Sequence, residues 1–172
     1  MSFLVTGGGG GLKLIERQKI TSLVSAVDFL DIPAGFSGIR FFLEGVVSTA
    51  AGYYLEAVVS SNNGASWASA GYTGQSHFLQ GAYTPSYVDF SSAIRLGVRP
   101  VTTCGGFLEF FNHGSVNPTS FQGVVSTRYA ADPAYASIIG GVLASSIHNG
   151  VRFYVSSGGQ LYSGAISLWG IK

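Results

Sequence analysis

From Lys13 onward, apolar and polar side chains alternate with a period of two rather than 3.6, the mark of strands that bury one face. Gly38 to Val46 shows it most clearly: Ile39, Phe41 and Leu43 fall on one side, Arg40, Phe42 and Glu44 on the other. The same parity turns Leu55, Ala57 and Val59 inward with Tyr54 and Glu56 outward, and Ile94, Leu96 and Val98 inward with Arg95 and Arg99 outward. Leu108 and Phe110 flank an outward Glu109, and Val151, Phe153 and Val155 alternate with Arg152 and Tyr154. Proline and glycine interrupt these runs at Ile32-Pro33-Ala34-Gly35, Tyr83-Thr84-Pro85-Ser86, Arg99-Pro100 and Asn117-Pro118, where a ladder would lose a donor. Tyr129 to Leu143 is the one candidate for a short helix or a long loop, stopped by Gly140-Gly141. About ten strands in a chain of this size predict an all-β fold, an antiparallel two-sheet sandwich of jelly-roll-like type, because two amphipathic sheets must bury their apolar faces on each other.

Composition sharpens this picture. The 172 residues make one domain with a short appendage: a glycine-rich amino-terminal arm over residues 1–12 and a β-sandwich domain over 13–172. Gly7 to Gly11 are five consecutive glycines, read as a hinge or a frayed end. In the hinge reading, Phe3, Leu4 and Val5 anchor the arm on a neighbouring protein by strand addition. Charged residues are 10% of the chain against about 25% in typical domains, so part of the surface is expected to be covered by partner copies. Phe42, Tyr54 and Tyr154, outward by parity, are the candidate oligomer interface; the alternative is that bulges return them to a second core layer. The nine Lys and Arg are scattered, which argues against nucleic-acid binding. The first apolar run is too short for a signal peptide or a membrane span. Cys104 is the lone cysteine, read as a small buried hydrophobe.

Catalytic chemistry finds little to stand on. His77, His113 and His148 occur in turn-like contexts without a nucleophile elbow or metal-ligand spacing, so neither a triad nor a metal site is expected, and no cofactor. Of the eight acids, Glu44 and Glu56 could share an outward face with Arg40 neutralising one. That pairing is the only candidate for glycoside hydrolysis, with a cross-strand ion-pair cluster as the plainer account. Ligand contacts are instead placed on polar loops, Gly71 to Tyr83 with Tyr72, His77 and Phe78, and Asn112 to Ser120 with His113 and Asn117.

The segment Val27-Asp28-Phe29 with Ile32-Pro33, the strand Gly38 to Leu43, and the closing VRFYVSSGGQLYSGAISLWGIK resemble small β-sandwich structural proteins of tailed-bacteriophage virions. The resemblance implies a non-enzymatic virion protein at the tail or fibre tip that contributes to host attachment. It would be assembled in the host cytoplasm as a homo-oligomer, a trimer by preference, with other virion proteins and host-surface polysaccharide as partners. A head-decoration protein held by its amino-terminal arm is the rival within the class; a capsule depolymerase is the rival outside it. Residues 60–67, SSNNGASW, resemble the Asp-box hairpin of some glycan-processing enzymes, with Asn62 in place of the acid. A single copy predicts a corner that fixes strand register rather than a sugar site, with the Asn62 side chain closing the turn, Gly64 supplying positive φ and Trp67 packing on the sheet.

Overall fold

The computed structural model describes residues 11–49, 54–80, 86–98, 103–128, 135–144 and 146–172. They form β1 (Leu12–Ile20), β2 (Ala26–Phe29), β3 (Gly38–Ser48), β4 (Tyr54–Ser60), β5 (Tyr72–Gln80), β6 (Ser86–Asp89), β7 (Ile94–Val98), β8 (Thr103–Phe111), β9 (Thr119–Arg128), β10 (Tyr135–Leu143), β11 (Gly150–Val155) and β12 (Leu161–Ile171). A large sheet runs β1-β12-β3-β8-β9-β10-β5-β6, and a small one β2-β11-β4-β7. Every pairing is antiparallel, as the alternation predicts.

Pairing is nested: β1 joins β12, β2 joins β11, β3 joins β8, β4 joins β7 and β5 joins β6. Early strands thus meet late ones while the chain passes back and forth between sheets, which is jelly-roll-like connectivity. β12 lies between β1 and β3, so the carboxyl-terminal stretch is built into the large sheet. β1 begins at Leu12, and Lys172 N donates to the Gly11 carbonyl; the strand therefore takes in Leu12, the last residue of the expected arm. The anchor residues Phe3, Leu4 and Val5 lie outside the described residues, as do Tyr83 to Pro85 and Arg99-Pro100 of the punctuation.

The inward residues are those the parity selects. Ile39, Phe41, Leu43, Leu55, Ala57, Val59, Ile94, Leu96, Leu108, Phe110, Val151, Phe153 and Val155 are all buried. Phe41 of β3 meets Phe29 of β2 and Phe153 of β11, both at 5.1 Å between ring centres, and Phe110 of β8 at 6.1 Å. The rings meet edge to face, the arrangement their quadrupoles favour, and the cluster stitches the two sheets together. Cys104 is fully buried, and burial pushes its thiol up to about 12.

Two elements differ from expectation. Gly71 to Tyr83 is not a loop in its described part: residues 72–80 form β5, with Tyr72, Ser76 and Phe78 buried. Gly74 and Ser76 dilute the apolar face, so the alternation was hidden. Ser76 is inward because its hydroxyl bonds the Arg95 carbonyl on the other sheet. Tyr72 likewise crosses the core: its hydroxyl accepts from Val59 N at 3.0 Å and donates to the Ala68 carbonyl at 3.2 Å. Tyr129 to Leu143 holds no helix in its described part, since residues 135–143 form β10. Gly141 does not stop that strand but permits it, because a Cβ there would come within 2.5 Å of the Phe121 ring.

Phe41→Ala is expected to cost about 3–5 kcal/mol, since a fully buried ring at the joint of both sheets leaves a cavity. Tyr72→Phe is expected to cost roughly 1–3 kcal/mol by leaving a buried amide and carbonyl unpaired. Urea unfolding checks both; the midpoint should fall with an unchanged slope.

Candidate functional site

The outer face of the small sheet is assembled by cross-strand register. Asp28 of β2 lies opposite Arg152 of β11, which lies opposite Val58 of β4. One step along, Ala26, Tyr154, Glu56 and Arg95 form the next row across all four strands. Facing side chains in adjacent strands stand close enough to pair, and they do. Arg152 donates through Nε and Nη2 to the two Asp28 oxygens, both at 2.7 Å. Arg95 pairs with Glu56 at 3.2 Å. The Asp28 carboxylate bonded to it raises the Arg152 pKa further. Burial, reinforced by a hydrogen bond to Glu56, holds the Tyr154 phenol well above its usual range.

The connection after β4 folds back over this face. Asn62 Oδ1 accepts from Ser66 N at 2.9 Å, Ser60 Oγ accepts from Gly64 N at 2.9 Å, and Gly64 has φ 83°. Asn62 thus closes the turn as the sequence predicts, an Asx device. A Cβ at Gly64 would press to 2.8 Å of Leu30. This is not a hairpin between paired strands, however: β4 and β5 belong to different sheets. Ala68 N donates to the Val59 carbonyl, which turns the chain back along β4 and sets Trp67 over the Arg152 guanidinium, 4.5 Å from ring centre to Cζ.

Between the turn and the sheet lies an open cavity of about 390 Å³, lined among others by Ser25, Trp67, Ser69, Ser92, Arg152 and Tyr154. Its chemistry is two aromatic rings, hydroxyls and a guanidinium whose charge is already balanced by Asp28. Such a surface suits a neutral, hydroxyl-rich ligand through ring contact and hydrogen bonds. The expected sugar contacts lie on other residues, and Trp67 is expected only to pack on the sheet; the alternation does not single out this cavity wall. The signal was present in outward Arg152 and Tyr154, but their meeting with Trp67 depends on pairing across 124 residues, as the Arg152–Asp28 contact shows.

The five predicted ligand residues are dispersed. Tyr72 and Phe78 are in the core. His77 projects from the opposite side of β5, beside Gln75, Asp89 and Ile138 in a shallow depression on the large sheet. His113 is buried with Nε2 3.1 Å from the Pro33 carbonyl, and Asn117 is exposed with its backbone N donating to Ser115 Oγ. The predicted interface trio does not share a face either. Phe42 lies on the outer side of the large sheet, edge-on to Trp169 at 6.2 Å. Tyr154 lies on the small sheet, and Tyr54 is half-buried between Arg95, 4.6 Å from its ring centre, and Phe78 of the large sheet. Glu44 and Glu56 are separated in the same way: Glu44 pairs with Arg17 on the large sheet, Glu56 with Arg95 on the small one, and Arg40 binds Glu109 instead. They cannot flank one sugar ring. Glu109, outward in register, is nonetheless buried under Arg40 and Gln122.

Among the described residues, no group of three or more His, Cys, Asp and Glu could hold a metal ion, and no helix is long and apolar enough to cross a membrane. Compared with family models, curated proteins and solved structures, the chain matches none.

One end of the sandwich is closed by polar ties between connections. Asp31 N donates to Asn63 Oδ1 at 2.6 Å, Asn63 N to Asn149 Oδ1 at 2.8 Å, and His148 N to the His113 carbonyl at 2.8 Å. His113 and His148 are both buried here. Burial lowers both pKa values; the Pro33 carbonyl opposes this at His113, and at His148 the Ala144 carbonyl opposes it while His113 adds to it. The folded chain therefore refuses protons that the unfolded chain accepts near its ordinary histidine pKa, about 6.5. Stability should be full above that pH and fall as pH drops below it towards the depressed folded values. Urea midpoints measured from about pH 7.5 to 5 should show the fall, and His113→Gln with His148→Gln should flatten it; an unchanged slope in the double variant would remove these histidines as its cause.

Proposed function

We propose that this chain is a non-enzymatic structural protein of a phage virion, seated at the tail or fibre tip, which contributes to host attachment by binding neutral sugar units of surface polysaccharide. The Trp67–Arg152–Tyr154 cavity carries the binding part of the reading. It is open, it offers rings beside hydroxyls, and its charges are balanced, so it suits a sugar better than an ion. Among the described residues, no Asp or Glu lines it. The virion part is supported by the resemblance of residues 151–172 to the closing stretch of such proteins, and by a sandwich core built without a disulfide.

Self-association, with a trimer favoured, belongs to the same reading, but its support lies on the large sheet. There Phe42, Phe107, Val124 and Ile138 stand opposite one another across β3, β8, β9 and β10. Val124 is 42% and Ile138 50% exposed, an apolar row that a second copy would cover. Assembly in the host cytoplasm and contacts with other virion proteins follow from the class.

The purified chain is expected to bind host cells or their isolated envelope polysaccharide saturably and to release no reducing ends. Trp67→Ala should weaken that binding at least tenfold while far-ultraviolet circular dichroism stays unchanged. Gold-labelled antibody on particles should mark the tail tip. Equal binding by the variant would overturn the site, reducing ends the non-enzymatic reading, and label on heads the tail location.

A further inference from the structure

The proposed sugar cavity does not end at Trp67. Trp67 and Ala68 also wall a second cavity of about 200 Å³, on the side of the turn that faces the β10–β11 connection. Its other lining residues include Ser61 and Ser66 from the turn, Tyr72 at the start of β5, and Ser146 and His148. The space far exceeds the share of roughly 30 Å³ that one water occupies.

His148 is 8% exposed, and among the described residues neither of its ring nitrogens makes a well-formed hydrogen bond, the Ala144 carbonyl acting on the ring only enough to oppose the effect of burial. Buried polar atoms nearly always find one, so a buried ring that lines a cavity and lacks a well-formed partner points to something that enters it. The ring's position does not wait on that visitor. Its own amide is tied to His113, and the next amide, of Asn149, donates to the Ser60 carbonyl at 2.9 Å. The Tyr72 hydroxyl is already engaged by Val59 and Ala68, so Tyr72 contributes its ring. Among the described residues, no Asp, Glu, Lys or Arg lines the space, and burial keeps the imidazole neutral. A neutral imidazole offers one donor and one acceptor, the complement of hydroxyl groups, which both give and take.

We propose that this second cavity is an adjoining subsite that takes one neutral, hydroxyl-bearing sugar unit, with His148 as its recognition residue, while the next unit of the same chain occupies the Arg152 cavity. The inference rests on the sugar-binding reading above. Trp67 stands between the two units as their common wall, so a ligand spanning it gains contacts that a single sugar does not.

The test is a titration of the full, isotope-labelled chain with glucose, galactose and N-acetylglucosamine and with their β-linked di- and trisaccharides, following the Arg152 Nε–H and the His148 ring by nuclear magnetic resonance. For at least one series, the oligosaccharide should move both signals and bind about tenfold or more tighter than its monosaccharide. His148→Ala should erase that gain and leave the monosaccharide response at Arg152 in place. Ser146→Leu, a half-buried position whose side chain can block the cavity without touching the buried core, should do the same if His148→Ala fails to fold. Response at Arg152 with none at His148, and no gain with length, would overturn the subsite alone. Silence at both signals with every sugar would overturn the sugar-binding reading and the subsite with it.

Discussion

The contact on which the rest depends is the edge-to-face cluster around Phe41. Phe29 and Phe153 come to it from the small sheet and Phe110 from the large one. Two sheets of such different width, four strands against eight, share one core only where their inner faces lock, and this cluster lies within that core. It also sets the outer face. Phe29 and Phe153 point inward, so Asp28, Arg152 and Tyr154 must point out, since neighbours along a strand face opposite ways. The cavity is in this sense the reverse side of the core.

That outer face is polar yet internally balanced. Arg152 meets Asp28, Arg95 meets Glu56, and each guanidinium also lies over a ring, Trp67 in one case and Tyr54 in the other. Partly exposed pairs of this kind contribute little to stability; their effect is to fix side chains that would otherwise wander. The cavity walls are thereby set in the chain alone, which would lower the ordering cost of the proposed binding. The turn at Asn62 serves the same end. Its hydrogen bonds are local, but what they position, Trp67, completes a surface made by strands far away in sequence.

The strands were legible wherever inward positions were large and apolar, as in β3, β4, β8 and β11. β5 and β10 escaped because glycine and serine stand at several inward positions. Their reasons are contacts invisible along the chain: Ser76 bonds the backbone of the facing sheet, and Gly141 makes room for Phe121. The polar look of residues 71–80 then made loop ligands of Tyr72 and Phe78, which are core. The turn at 60–67 was read correctly in its local chemistry, including the roles of Asn62 and Gly64, and incompletely in what it builds.

What the sequence determined by itself is what a residue and its near neighbours decide: period two, hence strands; parity, hence which rings go inward; Asn62 and Gly64, hence a corner. What only the tertiary structure decided is which outward side chains meet. Phe42 and Tyr154 share parity but not a sheet, and Glu44 and Glu56 are parted in the same way. Arg152, Asp28 and Trp67 share no local signal and form one site. The physical reason is that antiparallel ladders specify pairing by the register of whole strands, and nested connectivity brings together strands from opposite ends of the chain. Alternation fixes the direction in which a side chain points and carries no information about the strand beside it.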